Sequence, residues 1–76
     1  MPESPQSYLQ KVSAACARPD LSTPADRIIF LHRLQAYWTR QLNSFRKGKP
    51  THFPPAEIHY ILDELQALIN LERSQQ

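Results

Sequence analysis

The segment Thr23–Gly48, with the sequence TPADRIIFLHRLQAYWTRQLNSFRKG, decides the fold. Thr23 can accept a hydrogen bond from a free N–H in the first turn of a helix. Pro24 suits the first helical position, where its missing N–H leaves nothing unpaired. Gly48 is the only glycine of the chain and is typical of the residue that follows a helix end. The segment therefore predicts a long helix over residues 24–47.

One face of this helix is apolar, because its large apolar side chains recur every three or four residues. The residues of this face are Ile28, Leu31, Leu34, Trp38, Leu42 and Phe45, and Phe30 and Tyr37 widen it on one side. An amphipathic helix gains most of its stability by packing this face against another element.

Two further helices are predicted on either side. One spans residues 55–73 and carries the most regular apolar face, formed by Ile58, Ile61, Leu62, Leu65, Leu68 and Ile69. The other spans residues 5–17, with Ser4 as its N-cap and with Tyr8, Leu9, Val12, Ala15 and Cys16 on one face.

These patterns predict one all-α domain over residues 1–76. Two long helices joined by a short linker favour an antiparallel helical hairpin, with the short N-terminal helix across it. The monomer would be a three-helix bundle, whereas dimerisation of the hairpin would give a four-helix core. A core of this size contributes little net stability, which favours a homodimer or a complex with another protein.

The composition excludes several function classes. Of the 76 residues, 41% are hydrophobic and 21% are charged, with one glycine and one cysteine. Glycine-rich phosphate loops, disulfide frameworks and multi-cysteine metal sites are therefore excluded. No apolar run reaches the roughly 18 residues that a membrane span needs, and the first residues do not resemble a signal peptide. We expect a cytoplasmic protein with no membrane span.

The charges are segregated along the chain, although the formal net charge is only +2. Six cations and no acid lie between Arg27 and Lys49, whereas four acids and one cation follow from Glu57 onward. Opposite charges could simply flank the contact between the two long helices. Alternatively, the outer face of the basic helix could bind an acidic protein or a phosphate backbone through Arg33, Arg40 and Lys47.

No residue pattern indicates catalysis, a cofactor or a metal. His32, His52 and His59 do not have the spacing of a zinc site. Cys16 lies on an apolar face, where a free cysteine usually behaves as a small buried hydrophobe. Glu72 follows the apolar face of the third helix, so it either lies beyond the core or meets a cation such as Arg27.

The sequence carries more apolar helical surface than so small a fold can bury. Tyr60, Ala67 and Leu71 lie opposite the main apolar face of the third helix, and Ile29 lies on the back of the second. Apolar and aromatic residues beside arginine are typical of interface hot spots. The predicted partner-binding residues are Phe30, Arg33, Tyr37, Arg40, Tyr60 and Leu71, with the linker from Lys47 to Phe53 as a second candidate.

These observations favour a non-enzymatic protein–protein interaction module such as an adaptor, regulator, inhibitor or co-chaperone. A nucleic-acid-associated regulator is the alternative, with Arg46, Lys47 and Lys49 as further anion-binding residues beside the basic helix face. A third interpretation places the basic second helix on a membrane surface, with Trp38 in the lipid interface.

Overall fold

The computed structural model describes residues 3–75 and confirms the all-α fold. Its helices are α1 (Pro5–Cys16), α2 (Pro24–Arg46) and α3 (Pro55–Arg73), and within the described residues no β-strand occurs. The predicted bounds differ by one residue at the C-terminal ends of α1 and α2. A short 3₁₀ turn, Pro19–Leu21, joins α1 to α2 and was not predicted.

The predicted start signals form the contacts that their sequences indicate. The Ser4 and Thr23 hydroxyl groups accept hydrogen bonds from the N–H groups of Ser7 and Asp26, each over 3.1 Å. A proline occupies the first position of each helix, and the Pro54 residue before α3 makes no side-chain cap. Three proline-initiated helices therefore begin where the sequence predicts.

Gly48 ends α2 with a positive φ of 85°. Its N–H donates to the Phe45 carbonyl over 2.9 Å, and the Lys49 N–H donates to the Ser44 carbonyl over 3.0 Å. This pair of hydrogen bonds is the Schellman motif, which satisfies carbonyl groups that the end of a helix leaves free. The motif turns the chain out of α2 and into the linker.

α2 and α3 form an antiparallel hairpin, and α1 packs mainly against α3. The start of α2 meets the end of α3 through Arg27 and Glu72, and further along Gln35 bonds to Gln66 across the same contact. The buried core combines all three helices and the linker; its members are Val12, Leu31, Trp38, Leu42, Phe53, Ile58, Ile61, Leu65 and Ile69.

Two phenylalanines depart from the expected pattern. Phe45, assigned by periodicity to the apolar face, is 45% exposed, whereas Phe53 of the linker is only 3% exposed. Phe53 packs against Trp38 with their ring centroids 5.4 Å apart, so it closes this end of the core. The linker is therefore not a free binding segment as a whole: His52 and Lys49 are exposed, but Phe53 is part of the core.

In the described part of the chain, no helix is both long and apolar enough to cross a bilayer.

Candidate partner-binding surfaces

Arg33, Tyr37 and Arg40 lie on the side of α2 that points away from α3. Arg33 is nine residues from buried Leu42, and Arg40 is nine residues from buried Leu31. Nine residues correspond to about 2.5 helical turns, which places the members of each pair on opposite sides of the helix. We call this exposed surface the α2 outer face; its residues are Ile29, Arg33, Ala36, Tyr37 and Arg40.

The α2 outer face combines exposed apolar side chains with uncompensated positive charge. Ile29 is 52% exposed and Tyr37 is 43% exposed. Within residues 3–75, neither Arg33 nor Arg40 forms an ion pair. The guanidinium groups are therefore available to an anionic group from outside the chain, beside apolar surface that such a partner could cover.

An open depression of about 360 Å³ adjoins the α2 outer face at the start of α2. Phe30 lines it but is partly buried and packs against the core, so this predicted contact residue is only partly available. The other lining residues are Arg18, Asp20, Leu21, Asp26, Ile29 and Arg33. The Asp20 carboxylate is occupied by Arg18, whose Nη2 atom lies 3.0 Å from Oδ2.

Tyr60 and Leu71 lie on the opposite side of the hairpin, where α3 points away from α2. Tyr60 is nine residues from buried Ile69, which again amounts to about 2.5 turns. Leu71 is 56% exposed, the largest fraction among the exposed large apolar side chains of the described residues. We call this surface the α3 outer face; its residues are Tyr60, Glu64, Ala67 and Leu71, which are exposed, and Glu57, which is partly buried.

A second open depression, of about 370 Å³, lies between α1 and the α3 outer face. Tyr60 and Glu64 line it from α3, and Gln6, Leu9, Gln10 and Ser13 line it from α1. In residues 3–75, Glu57 and Glu64 form no ion pair. The six predicted partner-binding residues therefore do not share one surface: four belong to the α2 side, and Tyr60 and Leu71 belong to the α3 side.

The additional anion-binding candidates Arg46, Lys47 and Lys49 are all exposed at the C-terminal end of α2. Cations at this end also stabilise the helix itself, because the last carbonyl groups carry partial negative charge. A structural role thus accounts for part of this basic cluster without any ligand.

Trp38 lies inside the bundle, with 2% of its surface exposed. Its Nε1–H donates to the Tyr8 hydroxyl over 2.8 Å, and the two rings meet edge to face with centroids 5.1 Å apart. Burial raises the pKa of Tyr8, and the hydrogen bond from Trp38 opposes that shift only in part. Because Trp38 is enclosed in this way, it cannot anchor α2 in a lipid interface while the bundle is intact.

Of the two alternatives for Glu72, the structure supports an ion pair with Arg27. The Arg27 Nε and Glu72 Oε2 atoms are 2.9 Å apart, and the two side chains are 19% and 15% exposed. The pair lacks hydrogen-bond geometry, so Oε2 has no hydrogen-bond donor within the described residues. Arg27 also donates to the Leu21 carbonyl over 2.9 Å, which ties the 3₁₀ turn to both long helices.

This is the one ion pair that joins α2 to α3 in residues 3–75. The charge segregation is therefore not explained by rows of ion pairs along the hairpin. Cys16, near this ion pair, is partly buried. Burial raises the pKa of the Cys16 thiol, the Glu72 carboxylate raises it further, and the Arg27 guanidinium lowers it.

The histidines are not brought together. His32 pairs with Gln35 over 3.1 Å, and His52 packs edge to face on Phe53. Over residues 3–75, no group of three histidine, cysteine, aspartate or glutamate side chains could hold a metal ion.

Comparison with protein-family models gave no match, and comparisons with curated proteins and with solved structures gave none either.

Proposed function

We propose that this chain is a small protein–protein interaction module without catalytic activity, which acts by covering part of the surface of a partner. One observation carries the proposal: the α2 outer face exposes Ile29 and Tyr37 beside Arg33 and Arg40, which form no ion pair within residues 3–75. The proposal includes a cytoplasmic location, where the single cysteine would remain a thiol.

The energetics of protein–protein interfaces support this proposal. Tyrosine and arginine are enriched among residues that dominate binding, and apolar neighbours exclude water from the contacts that they make. Leu31, Ile58, Ile61, Leu65 and Ile69 fill the core and are fully buried, whereas Ile29 is exposed and Tyr37 meets the core at Trp38, with ring centroids 5.0 Å apart. Ile29 and Tyr37 therefore expose apolar area that the fold itself does not require.

A photo-crosslinking amino acid at Ala36 tests the proposal, because Ala36 is exposed between the two arginines. We expect a crosslink to protein that disappears when Arg33→Glu and Arg40→Glu are added. Asn70, exposed on another side of the hairpin, is the control position. Equal crosslinking from both positions, or none from Ala36, would contradict the proposal.

A nucleic-acid-associated regulator is the second candidate. The absence of any acid between Arg27 and Lys49 favours it. Binding through phosphate contacts weakens steeply as salt concentration rises, whereas an interface that depends on apolar contacts changes much less. A crosslink from Ala36 to nucleic acid, together with a steep salt dependence, would support this candidate over a protein partner.

A further inference from the structure

We propose that the α2 outer face of one copy binds the α3 outer face of the next, so that the chain assembles head to tail. The inference rests on the proposed function and names its partner, a second copy of this chain. It explains why the exposed partner-binding residues are divided between two opposite sides of one hairpin: they are the two halves of a single interface.

Charge complementarity selects this partner. The α2 outer face presents exposed Arg33 and Arg40, and the α3 outer face presents exposed Glu64 and partly buried Glu57. Both charged pairs are spaced by seven residues, about two helical turns, so each arginine can face one glutamate at the same time. None of the four forms an ion pair elsewhere in the described residues.

The two faces also agree in register. When α2 of one copy lies antiparallel to α3 of the next with Tyr37 level with Tyr60, Arg33 is level with Glu64 and Arg40 with Glu57. The matching follows from the spacing alone, four residues on one side of each tyrosine and three on the other.

In the same register, the exposed apolar residues meet. Ile29 of one copy becomes level with the gap between Ala67 and Leu71 of the next copy. Leu71 of the next copy becomes level with Asp26, beside the depression at the start of α2. That depression is lined in part by Leu21 and Phe30, apolar side chains that Leu71 of the next copy would cover. Water would then leave Leu71, which has the highest exposed fraction among the large apolar side chains in the described part of α3, and the apolar wall that it faces.

The register requires only a small displacement between copies. Within one copy, Gln35 lies level with Gln66 and Arg27 with Glu72, so Tyr37 lies level with about residue 63. Aligning Tyr37 with Tyr60 of the next copy shifts that copy along the helix axes by about three residues, or about 4.5 Å. Copies in the same orientation thus stack side by side with a slight offset.

A two-fold dimer through either face is electrostatically unfavourable. Two α2 outer faces packed antiparallel around Tyr37 would bring Arg33 close to Arg40 of the other copy, and like charges in a contact destabilise it. Because the complementary faces point in opposite directions, head-to-tail contacts do not close on themselves, and such heterologous contacts build open chains.

Sedimentation of the full chain from micromolar to millimolar concentration tests the inference. We expect the mass to rise continuously, through two copies to longer assemblies. The double variants R33E/R40E and E57R/E64R should each weaken association by at least about tenfold, because each places like charges in contact. The variant that combines all four substitutions exchanges the charges of both faces and should associate again.

The matched control is R46E/K49E, which reverses two exposed cations outside both faces and should associate as the unchanged chain does. Circular dichroism of every variant verifies that the helices are intact. The inference would be overturned if the mass stops at two copies. It would also be overturned if the variant with all four substitutions folds but stays monomeric, or if the control variant dissociates.

A single-copy mass at every concentration would also overturn it. The proposed function would still stand in that case if Ala36 crosslinks to a different protein in a manner that depends on Arg33 and Arg40.

Discussion

The hydrogen bond from the Trp38 indole to the Tyr8 hydroxyl joins α1 to α2 at a partly buried point. Trp38 has only an N–H to donate and Tyr8 supplies the acceptor, so each buried polar atom of this pair has a partner. The surrounding Phe53 and Tyr37 rings are edge-on or tilted toward Trp38. The cluster therefore positions α1 without any charged group.

Replacement of Tyr8 should change the dependence of stability on alkaline pH. Burial raises the pKa of Tyr8 above its usual 10.0, so the folded chain holds the phenolic proton more tightly than the unfolded chain. Its contribution to stability is complete below about pH 10 and is lost as the pH rises through the raised pKa. In Tyr8→Phe, the free energy of unfolding should fall less between about pH 9 and 11, since no phenol ionises at this position.

Denaturant titrations at several pH values measure this slope. Tyr60→Phe, which removes an exposed hydroxyl, is the matched control. Identical slopes for Tyr8→Phe and the unchanged chain would show that Tyr8 ionisation does not contribute.

Removal of the Arg27 guanidinium should destabilise the fold markedly. In Arg27→Met, the Glu72 carboxylate stays largely buried without its cation, and the Leu21 carbonyl loses a hydrogen bond. We expect the free energy of unfolding to fall by about 3 kcal/mol, because an unpaired buried charge is costly. Addition of Glu72→Gln should recover part of this loss in denaturant titrations; no recovery would show that the loss comes from the Leu21 hydrogen bond and not from the unpaired Glu72 charge.

At the scale of the elements, helix starts and ends are encoded locally and the linker is not. Serine or threonine caps and prolines begin α1 and α2, and Gly48 ends α2, so their bounds follow from the sequence to within one residue. The burial of Phe53 could not be predicted from the sequence, because a single aromatic residue between prolines shows no periodic pattern. Its position depends on the linker, where the Thr51 hydroxyl donates to the Phe53 carbonyl over 2.6 Å.

Gly48→Ala should destabilise the protein by about 1 kcal/mol, because a residue with a Cβ is strained at φ 85°. Apart from Gly48 and its two chain neighbours, no atom of residues 3–75 lies within 4 Å of the position that a Cβ would take, so the loss would come from the backbone alone. Gly48→Asn should cost less, since asparagine tolerates this conformation better. Thermal unfolding followed by circular dichroism gives the order; equal loss for both variants would contradict it.

At the scale of the whole molecule, the sequence predicts which side of each helix is apolar but not how three helices are arranged. The surplus of exposed apolar side chains was therefore predictable for Tyr37, Tyr60 and Leu71, which are all exposed. Their division between two opposite surfaces was not, because it depends on which sides of α2 and α3 face each other. The same reason explains Phe30, whose partial burial is set by its neighbours in the bundle.

Tyr60→Ala combined with Leu71→Ala should leave the helix content unchanged, because both side chains are exposed and Ile58, Ile61, Leu65 and Ile69 still fill the core. The same variant should associate more weakly by at least about tenfold, the effect of removing two apolar contacts from an interface. Circular dichroism and sedimentation measure the two quantities independently. Loss of helix content would show that these residues belong to the fold and not to a contact surface.

The enclosure of Trp38 has one practical consequence. It is the sole indole of the chain, and both its hydrogen-bond acceptor and an edge-on ring come from Tyr8 of α1. Release of α1 would remove the Tyr8 ring and admit water to the indole. Val12→Asp, which places a carboxylate in the buried contact of α1, should therefore shift the tryptophan fluorescence to longer wavelength, so the chain carries its own optical reporter of whether its first helix is docked.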